Sequence, residues 1–199
     1  MGTSVALGGD LEGAKAVEPL VLASTSPQRR AILDQLRIPF VVVPPDYEEL
    51  GDDPVEHAAG KARSVDGGGR PVLGVDTDVF LDGCRLGKPE GAAGAAEMLE
   101  LLSGRTHEVV SGLCLRGAGW EELHRAVTRV EFRPLAAAEI ERYVAAGEWE
   151  GRAGAYAIQG LGASLVEQVA GDYLNVVGLP AALLVRLLAE RLPGRYGFG

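Results

Sequence analysis

The stretch LASTSPQRRAILDQLRIPF, residues 22–40, joins the end of one apolar strand to a helix and to the start of another strand. Residues 19–23 read as the first strand. Ser26 is placed to cap a helix whose first residue is Pro27, where a missing N–H costs nothing. Ile32, Leu33 and Leu36 then fall on one helical face. Phe40–Val43 reads as a second strand, stopped by Pro44-Pro45. A cap and a proline would suffice for such a joint. Ser24 and Ser26, with Arg29 and Arg30 one turn behind, exceed that need. Hydroxyls beside a helix N-terminus, backed by cations, make a seat for an anion. A capped surface helix with solvated arginines is the plainer alternative.

Outward from this stretch, residues 53–65 predict a second helix and residues 72–81 a strand. Asp82-Gly83 is a hairpin turn. A helix is expected over 89–102, strands over 107–116 and 123–132, and helices over 136–146 and 180–192. Gly151, Gly154, Gly160, Gly162 and Gly171 mark residues 151–171 as backbone packed closely around something, without a regular element. Helices and strands alternate without a strict rhythm, so the expected class is α/β with a mixed sheet. No repeat or linker divides the chain. Residues 1–18 are expected to be a flexible N-terminal tail, 19–193 one domain, and 194–199 a C-terminal tail.

The 199 residues are 47% hydrophobic and 24% charged, ample for a packed interior. No apolar run approaches the roughly 20 residues of a membrane span. Residues 1–18 lack the basic-then-apolar pattern of a secretory signal. Cys84 and Cys114 stand apart with no CxxC spacing, which argues against a disulfide framework or a zinc site and fits a reducing cytoplasm. A formal net charge of −9 opposes nucleic-acid binding. A small polyanion is still compatible, because a few cations in a cleft can hold it.

Standard motifs fail. GLGASL (160–165) lacks the last glycine of a dinucleotide fingerprint, and GKP (87–89) is no phosphate-binding P-loop. His57, His107 and His124 are scattered, which favours structural or surface roles. VLGVDTDVFL (72–81) is sharper, because Asp76, Thr77 and Asp78 interrupt an apolar strand. Interior carboxylates are costly unless paired or bound to metal; a bulge where the strand emerges is the alternative. Lys88 stands just before a helix. Asp46, Glu48 and Glu49 could hold Mg2+ through oxygens or form a solvated loop. Gln159 sets one amide among small residues, as a reader of a flat base would require or as part of a packing turn. Cations, hydroxyls, carboxylates and an amide together suggest a metal-assisted phosphoryl site.

The chain resembles the Maf family of nucleotide pyrophosphatases, once linked to septum formation. The likeness spans residues 20–192 and rests on LASTSPQRR, DYEE, GKA, LGVDTDV, GKP, LSGRTHEV, AGAYAIQGLGA and GDYLNVVGLP in order. It implies a fold like that of inosine triphosphate pyrophosphatases, with a twisted mixed sheet and flanking helices in two lobes around a cleft. It implies hydrolysis of nucleoside triphosphates to monophosphate and pyrophosphate, dependent on Mg2+, with Mn2+ or Co2+ as substitutes. By position, Asp76 matches the family's proton acceptor, and Ser24, Arg29, Lys61 and Lys88 its phosphate-side residues. Glu49 matches the acidic residue near the metal, which Asp76 shares. Gln28, Thr77 and Gln159 occupy the base-selecting positions. Thr77 and Gln159 agree with the branch acting on dTTP and UTP. Gln28 stands where that branch typically has arginine and where a CTP and methylated-GTP branch tends to have an aromatic residue. The expected partner is a nucleotide, with no nucleic acid or membrane, and a homodimer is compatible. A nucleotide-binding regulator of septation without catalysis, and a phosphomonoesterase, are the rival readings.

Overall fold

The computed structural model describes residues 17–199; most of the expected N-terminal tail, 1–16, lies outside them. The order is β1 (Leu20–Ala23), α1 (Pro27–Gln35), β2 (Phe40–Val42), α2 (Pro54–Arg63), β3 (Val72–Leu81), β4 (Cys84–Arg85) and α3 (Gly91–Leu102). Then follow β5 (Thr106–Gly117), β6 (Trp120–Phe132), α4 (Ala137–Ala145), β7 (Val166–Ala170), α5 (Tyr173–Val177) and α6 (Ala181–Arg191). Seven strands form one mixed sheet in the order β2-β1-β3-β5-β6-β7, with the short β4 pairing β3. β1 runs parallel to β2 and β3, whereas the later neighbours are antiparallel.

Local chemistry sets the ends. Ser26 accepts from the Arg29 amide and Asp53 from the Val55 amide, and each precedes a proline at the first helical turn. Asp82 and Gly83 both take positive φ, 49° and 80°, as a two-residue hairpin turn demands. β6 begins three residues before the expected start because Gly117 pairs directly with Trp120, which tightens the turn.

The glycine-rich segment departs from expectation. It contains two 3₁₀ turns, Ala153–Ala155 and Leu161–Leu165, and then the edge strand β7. VEQVA has too few apolar residues to announce itself. Its backbone groups on the inner side pair with β6, a partner more than 30 residues distant in the chain. Residues 194–199, expected as a tail, lie against the body of the protein: Tyr196 is buried and Phe198 packs beside it.

Alternating side chains give the sheet two covered faces. Leu20 and Leu22 join Ile32 and Leu33 of α1, Leu73 and Val75 of β3, and Leu184 and Leu188 of α6 in one core. Val21 and Ala23 face the other way, onto Ala58 and Ala62 of α2. Farther along the sheet a second large core gathers Val79 and Leu81 with Leu99, Leu102, Phe132, Ile140 and Tyr143. β3 therefore passes from one core into the other, and Asp76, Thr77 and Asp78 lie at the crossing.

Candidate active site

α2 lies close against the sheet because two glycines leave room for it. A Cβ on Gly74 would fall 2.2 Å from the Ala58 carbonyl oxygen, and one on Gly112 would fall 2.0 Å from that of Pro54. Gly112 is also the cross-strand partner of Asp76. The close approach brings His57 and Lys61, four residues apart on one helical face, onto that carboxylate. Lys61 Nζ lies 2.5 Å from Asp76 Oδ1 and 2.5 Å from Glu49 Oε1. His57 Nδ1 lies 3.2 Å from Asp76 Oδ2.

Glu49, Lys61 and Asp76 open on a cleft of about 840 Å³, within the range of small-molecule sites. Ser24, Gln28, Arg29, Glu49, Lys61, Asp76, Thr77, Lys88 and Gln159, separated by up to 135 positions in the chain, all line it. Arg29 is the strut at the α1 end. Its Nε donates to the Gly178 carbonyl at 3.0 Å, Nη1 to Ser24 Oγ at 3.1 Å and Nη2 to Thr77 Oγ1 at 3.5 Å. The Gln28 amide oxygen accepts from Ser26 Oγ at 3.0 Å. Thr77 meets Ser111 Oγ at 2.7 Å and donates to the Gly178 carbonyl, so protein partners already engage its hydroxyl. Lys88 and Gln159 are exposed on the cleft wall. Of the acidic trio, only Glu49 reaches the cleft; Asp46 and Glu48 are exposed outside it.

Electrostatics separates the two carboxylates of β3. Burial alone raises the Asp76 carboxyl, but Lys61, Arg29 and the His57 hydrogen bond outweigh it and hold the group below its ordinary value. Asp78 goes the other way: burial and then the Asp76 charge raise it, and Arg85 offsets only part. Arg85 Nε stands 2.8 Å from Asp78 Oδ2, yet neither atom makes a well-aligned hydrogen bond. Asp76 is thus the stronger acid of the two and Asp78 the weaker. Burial lowers the Arg29 guanidinium, opposed by Asp76, Glu49 and Asp78.

Glu49, His57 and Asp76 each offer a ligand atom within 4.8 Å of one another. The two carboxylates supply the hard oxygens that a divalent cation prefers, so the donor set fits such an ion. Lys61 meanwhile supplies positive charge between the same oxygens.

The chain matches the model of the Maf-like protein family over residues 19–191. It belongs to the Maf family. Among relatives, the dTTP/UTP pyrophosphatase of Nitratidesulfovibrio vulgaris is 46% identical over 187 residues, covering 88% of this chain and 89% of that protein. The protein of the same name from Moorella thermoacetica is 47% identical, covering 85% and 93%. That from Symbiobacterium thermophilum is 44% identical, covering 87% and 94%.

Three residues that line this Maf cleft, and one buried behind its wall, were not among the expected site residues. Tyr47 packs its ring over Gly60, where a Cβ would come within 2.1 Å of it. Glu148 and Arg152 line the Gln159 end, each with a buried polar atom that lacks a partner. His57, expected in a structural or surface role, is fully buried against Asp76. Its four-residue spacing from Lys61 was the available signal. The structural expectation suits His107, which contacts the Tyr156 hydroxyl at 2.9 Å, and the surface one suits His124, which pairs with Glu122.

Proposed function

We infer that this Maf protein hydrolyses dTTP and UTP, together with related modified pyrimidine nucleotides, to the monophosphate and pyrophosphate. The observation that carries the reading is Asp76, a buried carboxylate kept ionised by Lys61 and His57 at the wall of a cleft rich in cations. An ionised carboxylate can orient a water and accept its proton as the oxygen attacks the α-phosphorus. The bond from the α-phosphorus to its bridging oxygen then breaks, and pyrophosphate departs. Ser24, Arg29, Lys61 and Lys88 are assigned to the triphosphate oxygens, where positive charge offsets what builds on the leaving group.

Glu49 and Asp76 are the residues that would hold Mg2+, which when bound supplies charge neutralisation at the phosphates. Gln28, Thr77 and Gln159 are assigned to the base end. The Gln159 amide can both donate and accept, matching the carbonyl and the adjacent N3–H of uracil or thymine. Cytosine reverses part of that pattern, and a polar group left unpaired once the base covers it costs ~1–3 kcal/mol. Two free cysteines, one of them exposed, suit the cytoplasm as the compartment.

Among the described residues no helix is long and apolar enough to cross a membrane.

Product analysis over a triphosphate panel with Mg2+ tests the reading. Pyrophosphate should be the first product, with dTTP and UTP turned over roughly 5- to 150-fold faster than CTP by kcat/KM. Gln159→Glu should narrow or reverse that gap. Free phosphate as the first product would indicate a phosphomonoesterase. Absence of any turnover would leave a nucleotide-binding regulator, and preference for CTP would move the chain to the other branch.

A further inference from the structure

We propose that His57 is a positioning residue, which fixes the orientation of Asp76 beside the segment that carries Glu49. This rests on the reading of Asp76 as the carboxylate that acts on water. Neither the match to the family nor the sequence pattern singled this histidine out.

His57 is fully buried, and its two ring nitrogens face two different parts of the site. Nδ1 lies 3.2 Å from Asp76 Oδ2, and Nε2 lies 3.2 Å from the carbonyl oxygen of Leu50. Both partners are acceptors. We assign a proton to Nδ1, because a carboxylate is the stronger acceptor and hydrogen bonds to ionised groups are roughly twice as strong as neutral ones. Asp76 is then gripped at both oxygens, by Lys61 at Oδ1 and by His57 at Oδ2. A carboxylate held at one oxygen can still turn about its side-chain torsions. One held at both cannot, and its remaining lone pairs keep a fixed aim into the cleft.

The other edge of the ring packs beside the strap between β2 and α2, with no proton on Nε2 to donate to the Leu50 carbonyl. Leu50 adjoins Glu49, the second candidate metal ligand, and Tyr47 of the same strap stands with its ring centroid 6.2 Å from that of His57. One imidazole therefore sits between the two carboxylates that must converge on a cation. Groups that orient metal-binding carboxylates typically cost 10–100-fold in metal affinity or activity when removed. A histidine serving only to fill space would have no reason to aim a ring nitrogen at a buried carboxylate.

Three substitutions separate positioning from packing. His57→Leu keeps an apolar bulk and removes both polar edges. His57→Asn places an amide N–H near the position of Nδ1, and His57→Gln extends an amide toward the position of Nε2. Each is measured for melting temperature, for kcat and KM on the preferred triphosphate, and for Mn2+ binding by electron paramagnetic resonance. The binding measurement uses protein saturated with an α,β-imido nucleotide, which cannot be cleaved. His57→Leu should lose 10–100-fold in kcat with KM changed less than threefold, and should bind Mn2+ about tenfold more weakly. His57→Asn should recover most of the kcat, and His57→Gln should not.

Equal kinetic constants for His57→Leu and the parent would overturn the proposal. So would losses that follow the melting temperature alone, with Asn and Gln indistinguishable. A parent protein that releases no pyrophosphate would sink the assigned activity. The Mn2+ series would then still test whether His57 organises the two carboxylates.

Discussion

At the scale of the residue, Asp76 shows how a costly group becomes useful. A carboxylate inside a strand is tolerated because Lys61 and His57 satisfy both of its oxygens, and the same contacts keep it charged. Asp76→Asn preserves size and removes the charge, so turnover should fall by ~10²–10⁴-fold while the protein still unfolds in one transition. Steady-state rates at saturating nucleotide and Mg2+ check this, and retention of half the parental rate would assign the base elsewhere. His107 makes the opposite bargain. Burial lowers its pKa from 6.5 to about 4, so the fold prefers the neutral ring. The unfolded chain takes up a proton near pH 6.5 and the folded one only near 4. His107 therefore leaves stability intact above pH 6.5 and removes about 3 kcal/mol as pH falls through that window. Chemical denaturation at pH 7 and pH 4.5 should show most of this loss. In His107→Gln, which cannot charge, the portion due to this residue should vanish even if the variant is weaker at pH 7.

At the scale of the element, helices α1 and α2 deliver the cations from opposite faces of the sheet, α1 with Arg29 in its first turn and α2 with Lys61 in its last. On α1, Arg29 turns inward to Ser24, Thr77 and the Gly178 carbonyl, whereas its neighbour Arg30, about 100° farther round, reaches only the exposed Thr25 carbonyl at 3.4 Å. Arg29→Ala should cost roughly 1.5–3 kcal/mol in kcat/KM, the scale of a charged hydrogen bond, and Arg30→Ala distinctly less. Equal and small losses would return residues 24–30 to the role of a capped surface helix. On α2, the interface is set by absence of side chains. Gly74 and Gly112 let the helix backbone come so near the sheet that a lysine and a histidine one turn apart meet the same carboxylate.

At the scale of the whole molecule, β3 and β5 pass through both large cores and tie them into one structure. The cleft lies where the first core ends and the second begins, so its geometry depends on both. Leu113 belongs to the first core and Leu99 to the second, and both are fully buried. Leu113→Ala and Leu99→Ala should each destabilise by about 2–5 kcal/mol. Each should shift a single cooperative transition, since the shared strands transmit the loss. Separate transitions in calorimetry, with only one moved by each variant, would show that the lobes unfold independently.

The amino-acid order alone determined the local events. Ser26-Pro27 and Asp53-Pro54 start helices, Asp82-Gly83 turns a hairpin, and the apolar run of residues 72–81 makes a strand, because each depends on neighbours a few positions away. Asp76 and Asp78 stood out as well, since carboxylates inside an apolar strand are costly unless paired, whereas Lys61 drew notice only through the family resemblance. Three features were decided only by the tertiary structure. The strand β7 exists because β6 offers it a partner, and two of three neighbouring acidic residues are left outside the cleft by the path of a loop. His57 joins Asp76 only because Gly74 and Gly112 admit α2 to the sheet. Each of these rests on groups far apart in the chain, and what brings them together is the packing of α2 and β6, a property of the folded whole that no short stretch of residues contains.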